Sequence, residues 1–118
     1  MVQQSKPRVI KNYEKLDKAI KEQIKIVYPY GFSEYLITFT NKDGKLVSAL
    51  PFETDEKYYL VKMTEYEAEQ IIDEDDDFDS SGQLKDEVKE DYEDKYADLD
   101  YLSEQLQDDE GNEENEKN

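Results

Sequence analysis

The sequence predicts a small α+β fold: a three-stranded antiparallel β-meander with flanking helices and a partly helical, otherwise disordered acidic C-terminal tail. Three observations carry that prediction. Leu16, Ala19, Ile20, Ile24 and Val27 recur at the three-and-four spacing of one helical stripe. Residues 33–63 switch to period-two alternation and to aromatic and β-branched runs, punctuated by Asn, Asp, Gly and Pro. The charge is divided unevenly: residues 1–72 hold 11 bases and 11 acids, whereas residues 73–118 hold four and 21, so the whole net charge of -17 belongs to the second part.

Taken in order, the polar start through Lys6-Pro7-Arg8 predicts a frayed end followed by a short extended piece at Val9-Ile10. Asn12 or Asp17 can cap the first helix, expected from about Asp17 to Tyr28, and Pro29 and Gly31 end it. From Ser33 to Thr40, Tyr35, Ile37 and Phe39 share one face of a strand, with Thr38 and Thr40 on the other. Asn41-Lys42-Asp43-Gly44 closes a hairpin onto Lys45 to Leu50, with Gly44 in the left-handed conformation, and Pro51 stops the second strand. Lys57 to Met63 supplies the third strand. Thr64 and Glu67 have the spacing of a capping box, so a helix is expected from about Glu65 to Ile72, burying Ala68, Ile71 and Ile72. Mutual repulsion in Asp73-Glu74-Asp75-Asp76-Asp77 disfavours its continuation.

Beyond Ser80-Ser81-Gly82, Leu84, Val88 and Tyr92 recur at four-residue spacing, followed by Tyr96, Leu99, Leu102 and Leu106. Isolated helices of about ten residues are marginal in water, so a helix from about Leu84 to Tyr96 is expected only as one docked on the first helix. Lys18, Lys21 and Lys25 would there face Glu87, Glu90, Asp91 and Asp94. Residues 107–118 have no apolar side chain and are expected to be disordered. The chain thus divides into a near-neutral module (1–72), an acidic, helical extension (73–106) and an acidic tail (107–118).

A chain of 118 residues has room for one domain. It has no cysteine and no histidine, which removes disulfides, thiolate nucleophiles, imidazole bases and the common zinc ligands. Its four glycines are isolated, so no phosphate-binding loop is formed, and exposed acid runs do not separate two carboxylate pKa values as acid/base catalysis requires. The expectation is a protein that is not an enzyme and binds no cofactor. No apolar run reaches signal-peptide or membrane-helix length, so the expected compartment is the cytoplasm, with no membrane contact.

Asp77, Asp79, Ser81 and Gly82 match positions one, three, five and six of a calcium loop, with Leu84 at the apolar eighth. Position twelve is then Val88 where a bidentate glutamate is needed, Lys85 occupies a liganding position, and Glu87 and Glu90 are out of register. Asp77, Asp79, Ser81 and Glu87 remain as candidate ligands for weak divalent-ion binding. Tyr35, Phe39, Tyr58 and Tyr59 invite a stacking platform for single-stranded nucleic acid. The need for aromatics in a small core and the repulsion of phosphate by a charge of -17 argue against it. The preferred function is a monomeric, non-enzymatic interaction module whose acidic segment engages a basic protein partner electrostatically. The alternatives are a nucleic-acid-associated accessory protein and a divalent-cation binder.

The runs PRVIKNYEKL (7–16), YPYGFSEYLITFTNKDGKLVSALPFET (28–54) and KYYLVKMTEYEAEQIIDEDDD (57–77) resemble a family of short acidic bacterial proteins of unknown function. The resemblance covers about residues 7 to 102. It implies a bacterial, cytoplasmic origin and assigns no functional residue. Some similar proteins carry an automatic DNA primase label, with which the lack of zinc-ribbon cysteines and of room for a polymerising domain disagrees.

Overall fold

In the computed structural model, which describes residues 6–106, a mixed four-stranded sheet carries helices on one face. The strands are β1 (Arg8–Asn12), β2 (Ile37–Thr40), β3 (Leu46–Glu53) and β4 (Tyr58–Lys62), in the order β1-β4-β3-β2. The helices are α1 (Lys18–Val27), α2 (Glu65–Glu74), α3 (Asp86–Lys95) and α4 (Asp100–Ser103). The expected α+β class holds, but the sheet is not a three-stranded antiparallel meander. The extended piece at Val9-Ile10 is a full strand, β1, which pairs in parallel with β4 from Arg8↔Tyr58 to Asn12↔Lys62. Its side chains show little alternation. What makes it a strand is β4's need for backbone partners on its second edge.

Two further corrections concern strand ends. Ser33–Tyr35 forms a short 3-10 turn, so β2 starts only at Ile37. The ring of Tyr35 packs 5.3 Å from that of Tyr28. Pro51 does not stop β3, which runs on to Glu53. The carbonyl of Pro51 accepts from the Tyr28 hydroxyl, so this residue's backbone faces away from β4. On that side β2 has already ended, its last pair being Ile37↔Ala49, and the missing N–H costs no ladder bond. Two residues on, the Gln105 side chain occupies the same open edge: its carbonyl accepts from the Glu53 N–H and its amide donates to the Glu53 carbonyl.

Local chemistry set the hairpin loop and the start of α2 as expected, whereas Asp17 stands at the N-cap of α1 without a side-chain hydrogen bond. The hairpin loop is built on Asn41, whose side-chain oxygen accepts from the backbone N–H of Asp43 and Lys45, while Gly44 sits at φ +79°. At the start of α2, Thr64 Oγ1 accepts from the Glu67 N–H and the Glu67 carboxylate accepts from the Thr64 N–H. This helix extends to Glu74 instead of ending near Ile72, because Asp73 and Glu74 project into water, where screening weakens their repulsion.

The two faces of the sheet differ. Leu50↔Val61 and Phe52↔Tyr59 are paired across β3 and β4 on the face toward the helices, in one core with Ile24, Val27, Tyr28 and Phe32. Residues 22–28 of α1 and its C-cap are buried on every side, polar ones included, because α3 and α4 pack over the surface turned away from the sheet. The acidic extension shares this core through Phe78, Leu84 and Leu102. Leu84 is not helical: it bridges Phe78 across a tight loop and donates its N–H to the Pro29 carbonyl, and α3 begins at Asp86. Residues 107–118, expected to be disordered, lie outside the described residues.

Candidate functional site

The helical side of the molecule holds most of the acids. Residues 64–106 carry 18 acids against three bases, and residues 6–63 carry eight against eleven. A few of these carboxylates are spent inside the fold. Lys25, its side chain 10% exposed, lies 2.6 Å from Asp75 and 2.8 Å from Asp77. The Tyr92 hydroxyl donates to the same Asp77 oxygen at 2.7 Å. Burial opposes the charge on Lys25, but its bonds to Asp75 and Asp77 outweigh that and raise its pKa above the ordinary lysine value. Burial likewise works against ionised Asp77, and the bonds from Lys25 and Tyr92 overcome it, holding the carboxyl below its usual range. Beside them, Tyr13 is pushed up to about 12, chiefly by burial.

The second contact of this kind reverses the expected polarity. Lys18, Lys21 and Lys25 do not face a row of acids on α3. Instead Glu22 of α1 accepts from Lys95 at 2.9 Å and from the Tyr96 hydroxyl at 2.7 Å, and Gln23 accepts from the Tyr101 hydroxyl. Lys25 turns to the 75–77 loop and Lys21 lies over the ring of Tyr13. Tyrosine hydroxyls thus serve the buried polar groups of α1. The outer surfaces of α2 and α3, with Glu69, Asp73, Glu87, Glu90, Asp91 and Asp94, remain exposed.

Three of the four candidate divalent-ion ligands, Asp77, Asp79 and Ser81, serve the fold. Asp77 serves Lys25 and Tyr92. One oxygen of Asp79 accepts from the N–H groups of Ser81 and Gln83 and from the Ser81 hydroxyl, so it builds the turn, with Gly82 at φ +86°. Glu87 lies exposed in the first turn of α3. Among the described residues no group of three or more acids is arranged to hold a metal ion.

The opposite side of the molecule is the sheet's second face. By register, its rows are Arg8–Tyr58–Glu53, Ile10–Leu60–Pro51, Asn12–Lys62–Ala49–Ile37 and Val47–Phe39. None of its apolar residues belongs to the core under the helices. Leu60 and Ala49 are nonetheless buried, at 3% and 0% exposure, whereas Ile10 is 48% and Ile37 40% exposed. Of the four candidate stacking aromatics, only Phe39 and Tyr58 lie here, in the two outermost rows. Tyr59 is on the core face, 6.2 Å from Phe52, and Tyr35 is against Tyr28. No continuous stacking platform is formed.

No family model, curated protein or solved structure matches the chain. Among the described residues, no helix is long and apolar enough to cross a membrane. Which residues line the open sheet face was missed in the sequence, although the alternation of Ile10, Ile37, Leu60 and Pro51 with core residues was its available signal.

Proposed function

We propose that the protein is a non-enzymatic interaction module that engages a basic protein partner through the acidic surface of α2 and α3. The observation that supports this most is the separation of charge across the fold: 18 acids against three bases in residues 64–106, of which only a few carboxylates are used internally. A surface of one sign accelerates encounter with an oppositely charged partner and gives an interaction that salt weakens. The same charge makes copies of the chain repel, which favours a monomer, and the reading keeps the protein in the cytoplasm.

The test is capture by the full chain over a salt series, alongside a variant carrying Glu87→Gln, Glu90→Gln, Asp91→Asn and Asp94→Asn. These four side chains are exposed, so the variant should melt like the parent. Basic proteins retained by the parent at low salt and lost by the variant are the expected result. Equal retention by both, or retention indifferent to salt, would overturn the reading.

A further inference from the structure

We propose that the open face of the sheet is a docking surface for an amphipathic segment of another protein, one whose apolar side chains are flanked by Asp and Glu. This surface lies across the sheet from the acidic helices and has the opposite chemistry. Ile10, Leu60, Pro51, Ala49, Ile37 and Phe39 form an apolar field across all four strands, covered by no helix of the described residues. Ile10 and Ile37 at its margins stand in water, Pro51 and Phe39 are half-buried, and Leu60 and Ala49 are buried between them.

The charges around the field decide what covers it. Arg8, stacked over the ring of Tyr58, stands at one end, and Lys62 stands in the row of Ala49 and Ile37. The one carboxylate on the face, Glu53, is neutralised by Lys6 at 2.6 Å. Among the described residues no carboxylate pairs with Arg8 or Lys62. The field therefore carries one cation at its end, Arg8, and one within it, Lys62. A second copy would bring Arg8 and Lys62 against like charges, in addition to the repulsion between chains of charge -17. A stacked nucleic acid strand would find only Phe39 and Tyr58, separated by the Ile10 and Ile37 rows. A segment carrying leucine or phenylalanine with flanking acids meets the field and both cations.

The probe is a synthetic 18-residue peptide with leucines on one helical face and glutamates elsewhere. It is titrated into the isotopically labelled full chain at physiological salt, where the distant acidic helices are screened. A matched peptide with lysine for glutamate, an oligo-dT strand and anionic vesicles are titrated in parallel. The glutamate peptide should shift the amides of Ile10, Ile37, Phe39, Val47 and Leu60. Ile37→Asp, at a half-exposed site, should weaken it about tenfold without lowering the melting temperature. Lys62→Glu should weaken the glutamate peptide and leave the apolar field intact. Absence of shifts at these residues, or equal binding to Lys62→Glu, overturns the proposal. So does preferential binding there by the lysine peptide, the oligonucleotide or the vesicles, or a concentration-dependent dimer that shifts the same residues. None of these outcomes bears on the α2–α3 surface, whose four-residue variant should bind the glutamate peptide as the parent does.

Discussion

Lys25 shows how one side chain ties an acidic segment to a helix. Removing only the cation leaves Asp75 and Asp77 facing each other with little water, and breaking a fully buried pair this way costs about 3–5 kcal/mol. Both carboxylates keep some exposure, 18% and 25% of their side chains, so Lys25→Met should lose about 2 kcal/mol at pH 7. The sign of the pH dependence follows from the depressed Asp77 pKa. A carboxyl whose folded pKa is lowered contributes stability above its unfolded pKa of about 3.9 and loses it as pH falls through the folded value. The loss caused by Lys25→Met should therefore shrink as the pH is lowered toward the carboxylate range, which urea titrations at neutral and acid pH would measure. An equal loss at both would mean that Lys25 acts by packing alone. Glu22, also depressed against burial by Tyr96 and Lys95, adds to the same slope, so the unmutated protein should lose stability below about pH 4. Lys25 works from the other end: its raised pKa leaves its contribution fully present below the ordinary lysine value and removes it only at higher pH. A melting temperature that held steady down to pH 2 would contradict the role given to these contacts. Gly44 makes a separate case. At φ +79° it has open space around the missing Cβ, so Gly44→Val should cost about 1 kcal/mol or more through backbone strain alone. A variant that melts with the parent would mean that the loop relaxes to another turn.

At the scale of elements, the hairpin, the first helix and the capping box at α2 were legible because each is fixed by residues within a few positions of one another. Asn41 and Gly44, and Thr64 and Glu67, carry their own geometry, and the first helix follows its apolar stripe, Asp17 standing at its N-cap without a side-chain hydrogen bond. The elements misread depend on distant partners. β1 exists because β4 has an edge to offer, and β3 passes through Pro51 because β2 ends two residues short of it. Gln105, 52 positions from Glu53, supplies the donor and acceptor that β2 does not. That substitution of a side-chain amide for a strand can be tested. Gln105→Ala should leave the Glu53 N–H and C=O on an open edge, with a loss of about 1–2 kcal/mol. The Glu53 amide should exchange with solvent faster while those in the β3–β4 ladder keep their protection. Unchanged exchange at Glu53 would show that water replaces the amide without cost. Leu84 is the other instructive case. Its four-residue spacing to Val88 and Tyr92 suggested one helix, but the chain turns at Gly82 and Leu84 is used in the bridge to Phe78, so only the later two positions lie on α3.

For the whole molecule, the sequence allowed a polarised charge to be counted but could not say which face of the sheet the helices would cover, since Ala49, Pro51 and Leu60 are as apolar as Leu50, Phe52 and Val61. The same limit applies to how the acidic extension is held. Its apolar spacing predicts one docked helix from Leu84 to Tyr96, yet the fully buried residues lie outside α3: Phe78 and Leu84 are 6% and 2% exposed and Leu102 is 5% exposed, all in one core with α1. The buried Glu22, Gln23 and Lys25 show why the parts depend on each other: these α1 residues are turned toward α3, α4 and the acidic loop, and they find their partners only there. A domain of this size has a total stability of about 5–15 kcal/mol. Cutting the chain after Gly82 removes two fully buried leucines, each worth about 1.5–3 kcal/mol, and the covering rings of Tyr92, Tyr96 and Tyr101, which together approach that total. Residues 1–82 alone should therefore fail to fold, giving a poorly dispersed amide spectrum and no cooperative melt. In the full chain, Leu102→Ala should lose about 2–3 kcal/mol while tyrosine and backbone circular dichroism still report one coincident transition. A dispersed spectrum and a sharp melt from residues 1–82 would sink this account, and would return the acidic extension to an appendage on an independent module.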